Sequence, residues 1–281
     1  MDTHDLPDRS PMLWRWFTWY ARRHVARRFN AVRVDREGPP PNWDGRPLIV
    51  YANHPGWWDP MMAIVAASIR YPDRRHYAPI DAAMLQRYAF FKRLGFFGVE
   101  RGDPAGARAF LRAAQRIADQ PDACLWVTAQ GRFADVRQRP IDLRPGVAHL
   151  ARRLPGVTLV PLAGEYVFWT EKRPEALLRF GAPIVSDGKG SADDWHDRLT
   201  AALTDAMDRL ADASIARDRA RFEVMLRGRG GVSAVYDAWR WLKAKLAGRS
   251  FDPRHLDRPN PHADPRLDRG PGQPEGRFDA R

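Results

Sequence analysis

Leu48-Ile49-Val50-Tyr51-Ala52-Asn53-His54-Pro55-Gly56-Trp57-Trp58-Asp59-Pro60 is the stretch on which the fold turns. Leu48 to Ala52 is a continuous apolar run bounded by turn formers, the pattern of a buried strand. Asp59-Pro60 then opens an apolar helix, Met61-Met62-Ala63-Ile64-Val65-Ala66-Ala67-Ser68-Ile69, with Pro at the first helical position. Between them a histidine leaves the strand in a Pro-Gly loop. Strand, loop, helix is the unit of an α/β protein, and the carboxyl end of a strand is where such folds place chemistry. A neutral imidazole takes a proton from a hydroxyl near neutral pH, and a carboxylate beside it fixes the tautomer and stabilises the imidazolium. Asp59 has a second reading, as the N-cap of the helix; its two oxygens allow both. The same His-x4-Asp spacing recurs at His76 and Asp81, where it reads as coincidence.

Outward from this unit, strand-like runs alternate with helical patterns from residue 48 to about 185. Asp103-Pro104 starts a helix whose Ala107, Phe110, Leu111, Ala114 and Ile117 share a face. Cys124 to Thr128 reads as a strand, Pro145 to Leu154 as a short helix, Val157 to Leu162 and Arg179 to Ile184 as further strands. Residues 32–47 read as a loop or short edge strand, and residues 192–227 as helical, with Trp195, Leu199, Leu203, Ala206 and Leu210 on one stripe. The expected fold is α/β, a mixed sheet flanked by helices.

The ends differ from this middle. Residues 1–11 read as a flexible arm. Residues 12–29 combine Trp, Tyr and Phe with Arg15, Arg22, Arg23, Arg27 and Arg28. That composition fits an N-terminal amphipathic helix lying on a lipid interface, where aromatic rings sit at the headgroups and Arg snorkels; it also fits a helix packed on its own domain. Residues 232–248 are a second amphipathic stretch, placed against the core or against lipid. From 251 to 281 Pro, Asp, Arg and Gly dominate, as in a disordered tail. The resulting division is 1–30 arm and amphipathic membrane-surface helix, 31–250 α/β domain, 251–281 disordered tail.

The chain has 281 residues, 44% of them hydrophobic, a net charge of +12 and a single cysteine. A basic chain attracts polyanions in general, anionic lipid and nucleic acid included. One cysteine excludes a disulfide framework and a cysteine-rich zinc site. No His-x3-His or clustered carboxylates suggest a metal, and none is expected. Cys124, in an apolar strand that raises a thiol pKa, is a poor nucleophile, and no Gly-x-Ser-x-Gly elbow offers another. No signal sequence or membrane span is expected from the apolar runs.

Asn53-His54-x4-Asp59-Pro60 resembles the first signature block of the glycerolipid acyltransferase family, whose members include lysophosphatidic acid acyltransferases. Four later stretches resemble further blocks in order: Gly95-Phe96-Phe97-Gly98-Val99-Glu100-Arg101, Val127-Thr128-Ala129-Gln130-Gly131, Leu143-Arg144-Pro145-Gly146-Val147 and Val160-Pro161-Leu162-Ala163. The resemblance spans residues 45 to 185. It implies a glycerol-3-phosphate acyltransferase-like fold and phospholipid-type O-acyl transfer, with His54 and Asp59 catalytic and Arg101, Gln130, Gly131 and Arg132 meeting substrate. It implies an acyl-CoA or acyl carrier protein co-substrate and no other cofactor. The partners implied are a lipid acceptor and an anionic membrane surface, with the protein peripheral on the cytoplasmic side of the cell membrane and no nucleic acid bound. Backbone N–H groups near Gly131 are its candidate oxyanion donors.

The third block departs from the family. Gln130 stands where a Glu is usual, and Arg132-Phe133 replace a hydroxyl residue and an Arg associated with the acceptor's phosphate. This disfavours lysophosphatidic acid as acceptor unless Arg132, Arg137 or Arg139 substitutes. Two rival functions follow from the same residues: a lipid-binding protein of this fold with altered catalysis, and a basic nucleic-acid-binding protein, for which no recognition signature is present.

Overall fold

The computed structural model describes residues 6–42, 45–100, 102–228 and 245. The chain divides into two compact units, one of residues 1–169 and 173–229, the other of 170–172 and 230–281. Of the second, only 170–172 and Lys245 are described; apart from Lys245, which is exposed and helical, the expected stretch 232–248 and the tail 251–281 lie outside the described residues.

The first unit is a mixed nine-stranded sheet with helices on both faces. In chain order it runs α1 (Pro11–Arg28), β1 (Ala31–Asp35), β2 (Leu48–Ala52), α2 (Asp59–Arg70), β3 (Arg75–Asp81), α3 (Ala82–Arg87), a 3₁₀ turn (Ala89–Leu94), β4 (Phe96–Val99), α4 (Pro104–Ala118), β5 (Ala123–Thr128), α5 (Gly146–Arg153), β6 (Thr158–Val167), β7 (Glu175–Phe180), β8 (Ile184–Val185), α6 (Ala192–Ala216), a second 3₁₀ turn (Arg219–Arg221) and β9 (Phe222–Arg227). The strand order is β4-β3-β5-β2-β6-β7-β1-β9, with β8 paired to β6. β2 is parallel to both neighbours: Ile49 pairs with Leu125 and Leu159, Ala52 with Thr128 and Leu162.

Strand alternation sends neighbouring side chains to opposite layers. Leu48 and Val50, with Cys124, Trp126, Val160 and Leu162, pack beneath α1 and α2. Ile49 and Tyr51, with Leu125 and Leu159, pack against α4, α5 and α6. Both faces being covered, the central strands read as unbroken apolar runs, which is why the sequence reveals them. The whole stripe Trp195, Leu199, Leu203, Ala206 and Leu210 of α6 is buried as expected.

Four elements differ from the sequence reading. β1 is an interior strand between parallel β7 and antiparallel β9, with all its residues buried. Its charges are matched from distant segments: Arg33 Nε lies 3.0 Å from Glu175 Oε2, and Asp35 receives the Arg179 guanidinium and, at 3.5 Å, Arg221 Nε. β7 begins at Glu175, four residues before the expected Arg179, and ends at Phe180. Buried Glu175 hides its start in the sequence, and Gly181-Ala182-Pro183 breaks the ladder. The helical reading of 192–227 fails at its end: α6 stops at Ala216, capped by Arg217 at φ 53°, and Phe222–Arg227 is the edge strand β9. Residues 6–10, expected within a flexible arm, are anchored: Ser10 N–H donates to Arg93 O at 2.8 Å and its hydroxyl caps α1.

Helix α1 belongs to the same compact unit as the sheet. It packs through Phe17, Ala21 and Val25, and Arg22 ties it to α2, its Nε donating to Ser68 Oγ at 3.0 Å. Its other face carries Trp16 and Trp19, 56% and 59% exposed. No helix among the described residues is long and apolar enough to cross a membrane.

Candidate active site

The loop after β2 is held in place by its neighbours on both sides. Asn53, buried, exchanges two hydrogen bonds with Gly164 of β6: Nδ2–H to Gly164 O at 2.9 Å, and Gly164 N–H to Oδ1 at 2.8 Å. The loop after β5 holds the next residue: His54 N–H donates to Gln130 Oε1 at 2.7 Å, and Ala134 N–H donates to His54 O at 3.0 Å. The backbone of His54 is thereby fixed at both its donor and its acceptor, at the carboxyl edge of the parallel strands.

His54 Nδ1 lies 2.5 Å from Asp59 Oδ2. Both side chains are largely buried, 13% and 10% exposed. Asp59 is the first residue of α2; Trp58 holds the N-cap position without a side-chain hydrogen bond, so the N-cap reading of Asp59 is corrected. Its carboxylate is used inside the loop instead: Oδ2 also accepts the Gly56 N–H at 3.0 Å, and Oδ1 accepts the Tyr166 hydroxyl. With Nδ1–H on Asp59, the imidazole keeps Nε2 as its free proton acceptor. Tyr166 and Phe133 are parts of the site that the sequence reading missed. Tyr166 lies 107 positions from Asp59, and no local pattern announces it; Phe133 was visible only as a departure from the third block. The Phe133 ring, 58% exposed, stands 4.6 Å from the His54 ring.

His54 and Asp59 line a cavity of about 540 Å³ between α1, α2 and the sheet. Its walls are mostly apolar: Phe17, Met61, Ile64, Leu94, Phe96 and Trp126 among others. Its lining includes no Arg or Lys among the described residues. At the inner end His76 is buried, accepting Trp126 Nε1–H on Nδ1 at 3.1 Å and lying 2.9 Å from Tyr71 O through Nε2. Burial pushes this imidazole down to about 3, so it stays neutral. Asp81 caps α3. The second His-x4-Asp match therefore serves structure.

The other expected site residues take separate roles. Arg101 lies outside the described residues. Gln130 is buried and supports His54 where substrate contact was expected. Gly131, at φ 65°, makes the turn that a side chain would strain, and its N–H is taken by Thr128 O at 3.1 Å, which removes it as an oxyanion donor. Arg132 is a surface residue with Nη2 3.4 Å from Asp142 Oδ2, and it does not line the cavity. Arg137 pairs with Asp135 at 2.7 Å and Arg139 with Asp208 at 2.5 Å. Cys124 is wholly buried and its thiol is pushed up by burial.

Aromatic side chains continue from the cavity to the surface. Phe90 touches Phe17, Phe17 touches Tyr20, Tyr20 stacks on His24, His24 meets Trp58 and Trp58 meets Trp57, with centroid separations of 5.5 to 6.2 Å. Trp57 is 69% exposed.

A family model described as "Acyltransferase" matches residues 19–165, from α1 to the residue before Tyr166. The crystal structure of the 1-acyl-sn-glycerophosphate (LPA) acyltransferase PlsC from Thermotoga maritima aligns with a TM-score of 0.49 and 12% identity, over 71% of this chain and 80% of that one. A sequence search of curated proteins finds no match.

Proposed function

This chain belongs to the acyltransferase family, and from that premise we propose that it transfers a fatty acyl group directly from a thioester, on CoA or an acyl carrier protein, to a hydroxyl of a lipid. The observation that carries the reading is the His54 Nδ1–Asp59 Oδ2 contact of 2.5 Å on the wall of an apolar cavity of about 540 Å³, within the size range of small-ligand sites. The acyl chain lies in that cavity with its thioester carbonyl beside His54. His54 Nε2 accepts the proton of the acceptor hydroxyl as its oxygen bonds to the carbonyl carbon. Asp59 holds the imidazole tautomer and stabilises the imidazolium. The tetrahedral intermediate then collapses, the carbon–sulfur bond breaks, and the proton on Nε2 passes to the departing thiolate. Burial of Cys124 supports direct transfer over an acyl-enzyme.

The acceptor is a hydroxylated lipid without a phosphomonoester next to the reacting hydroxyl. Phe133, not a cation, stands beside His54, and the described cavity lining carries Asp59 and Asp81 but no Arg or Lys. The protein works as a peripheral enzyme on the cytoplasmic side of the membrane, with the outer aromatic face of α1 and Trp57 in the headgroup layer. The test is incubation of purified protein with labelled acyl-CoA or acyl carrier protein and a panel of lipid extracts. Wild type is expected to yield an acylated lipid and His54→Ala to lose 10²–10⁴-fold of the rate, about the value of a positioned general base. An unchanged rate in His54→Ala overturns the mechanism.

A further inference from the structure

Asp59 is held by more than its histidine. Its Oδ1 is turned toward β6, where the Tyr166 hydroxyl donates to it. We propose that Tyr166 is a positioning residue of the acyl-transfer site: its hydroxyl locks the Asp59 carboxylate against His54 and draws off part of its charge, so that the imidazole is kept available as a base. The inference rests on the assignment of His54 as that base.

The supporting geometry is local and closed. β6 grips the loop twice, through Gly164 on Asn53 and through Tyr166 on Asp59, so one strand sets both ends of the segment that carries His54. The Tyr166 ring packs 5.7 Å from the Phe29 ring, which limits the directions open to its hydroxyl. Burial, with the Asp59 charge adding to it, pushes the phenol above its ordinary range, so the group remains a donor wherever the enzyme works. Each oxygen of Asp59 then has a fixed role: Oδ2 for His54 Nδ1–H and the Gly56 N–H, Oδ1 for Tyr166.

The charge argument has a sign. A carboxylate with one donor fewer concentrates its charge on the imidazolium, and the base then stays protonated to higher pH. Among the described residues, Asp59 contacts the His54 ring and Tyr166 contacts Asp59; Tyr20 and His24 of α1 and His76, Tyr77 and Asp81 of β3 line the same cavity, and Phe133 beside the ring is uncharged.

The test compares pH–rate profiles of wild type, Tyr166→Phe and a variant carrying 3-fluorotyrosine at position 166. Tyr166→Phe is expected to lower kcat about tenfold at neutral pH, the scale of a lost hydrogen bond to a charged group. Its KM for the acyl donor should not change, and the acid limb of its profile should move to higher pH. The fluorinated ring keeps the shape and donates more strongly, so its acid limb should move to lower pH; it also decides the matter if Tyr166→Phe fails to fold. Profiles that coincide with wild type in both variants overturn the proposal. His54→Ala in the same assay separates the two possible failures. A wild-type rate there removes the base assignment and this inference with it, whereas loss of activity there with unmoved profiles at position 166 removes only the role of Tyr166.

Discussion

The Asp59 carboxylate accepts from His54 Nδ1, the Gly56 N–H and the Tyr166 hydroxyl through two oxygens, and an asparagine offers one acceptor oxygen and an NH₂ in their place. Asp59→Asn is therefore expected to turn the imidazole away from its productive tautomer and lower acyl transfer by about 10²–10⁴-fold, measured as initial rates alongside a melting curve that shows the fold retained. A rate within a factor of two of wild type would remove Asp59 from the mechanism. His76 gives a prediction on stability. Unfolded, it takes a proton below its ordinary value of about 6.5; folded, it resists until about 3. Between those values the unfolded state binds more protons, so its contribution is full above pH 6.5 and is lost as pH falls, by up to about 1.4 kcal/mol per pH unit. Urea midpoints at pH 7 and pH 5 should show this loss, and His76→Gln should shallow it. At this scale the sequence was legible where a contact joins residues close along the chain. His54 and Asp59 sit five positions apart and share a loop, whereas Tyr166 approaches from another strand, a juxtaposition no local spacing encodes.

Helix α1 shows how an element can be read correctly in kind and incompletely in orientation. Its composition fitted both a lipid interface and packing on its own domain, and its aromatic side chains divide between the two faces. The structure buries Phe17, Ala21 and Val25 and leaves Trp16 and Trp19 outward. The division predicts separable effects. Trp16→Ala with Trp19→Ala should weaken sedimentation with anionic vesicles without lowering the melting temperature. Val25→Ala should lower the melting temperature by leaving a small cavity while the folded protein binds vesicles as before. High salt should release part of the wild type, because attraction of Arg to anionic lipid is screened and aromatic insertion is not. Equal vesicle binding by the double tryptophan variant would discard α1 as the anchor. β1 was illegible for the opposite reason. Arg33 and Asp35 look like surface residues until Glu175, Arg179 and Arg221 are brought to them, and buried charge is tolerated only when so paired.

Across the whole molecule, the proposed function makes the cavity between α1, α2 and the sheet the place where the acceptor is selected. Lysophosphatidic acid is expected to be a poorer acceptor than an uncharged monoacyl lipid. Arg132→Ala and Arg137→Ala should leave that preference unchanged, since these side chains pair with Asp142 and Asp135. Phe133→Arg should shift it toward the phosphorylated lipid, because a guanidinium there can bind phosphate bidentately beside His54. Competition assays with the two lipids measure the ratio; efficient use of lysophosphatidic acid that is lost in Arg132→Ala would show a rebuilt phosphate site and reverse the reading. The sequence by itself determined the α/β class, the central strands and the helix starts at Asp59-Pro60 and Asp103-Pro104, because apolar periodicity and Pro positions are local properties of the chain; His54 and Asp59 were singled out by the resemblance of their block to the family's. The tertiary structure alone decided that β1 is interior, that Gln130 supports His54, that Tyr166 completes the Asp59 environment and that Phe133 stands beside His54. Each of these depends on a contact between segments distant along the chain, and its energy exists only once the sheet has aligned β2, β5 and β6 edge to edge.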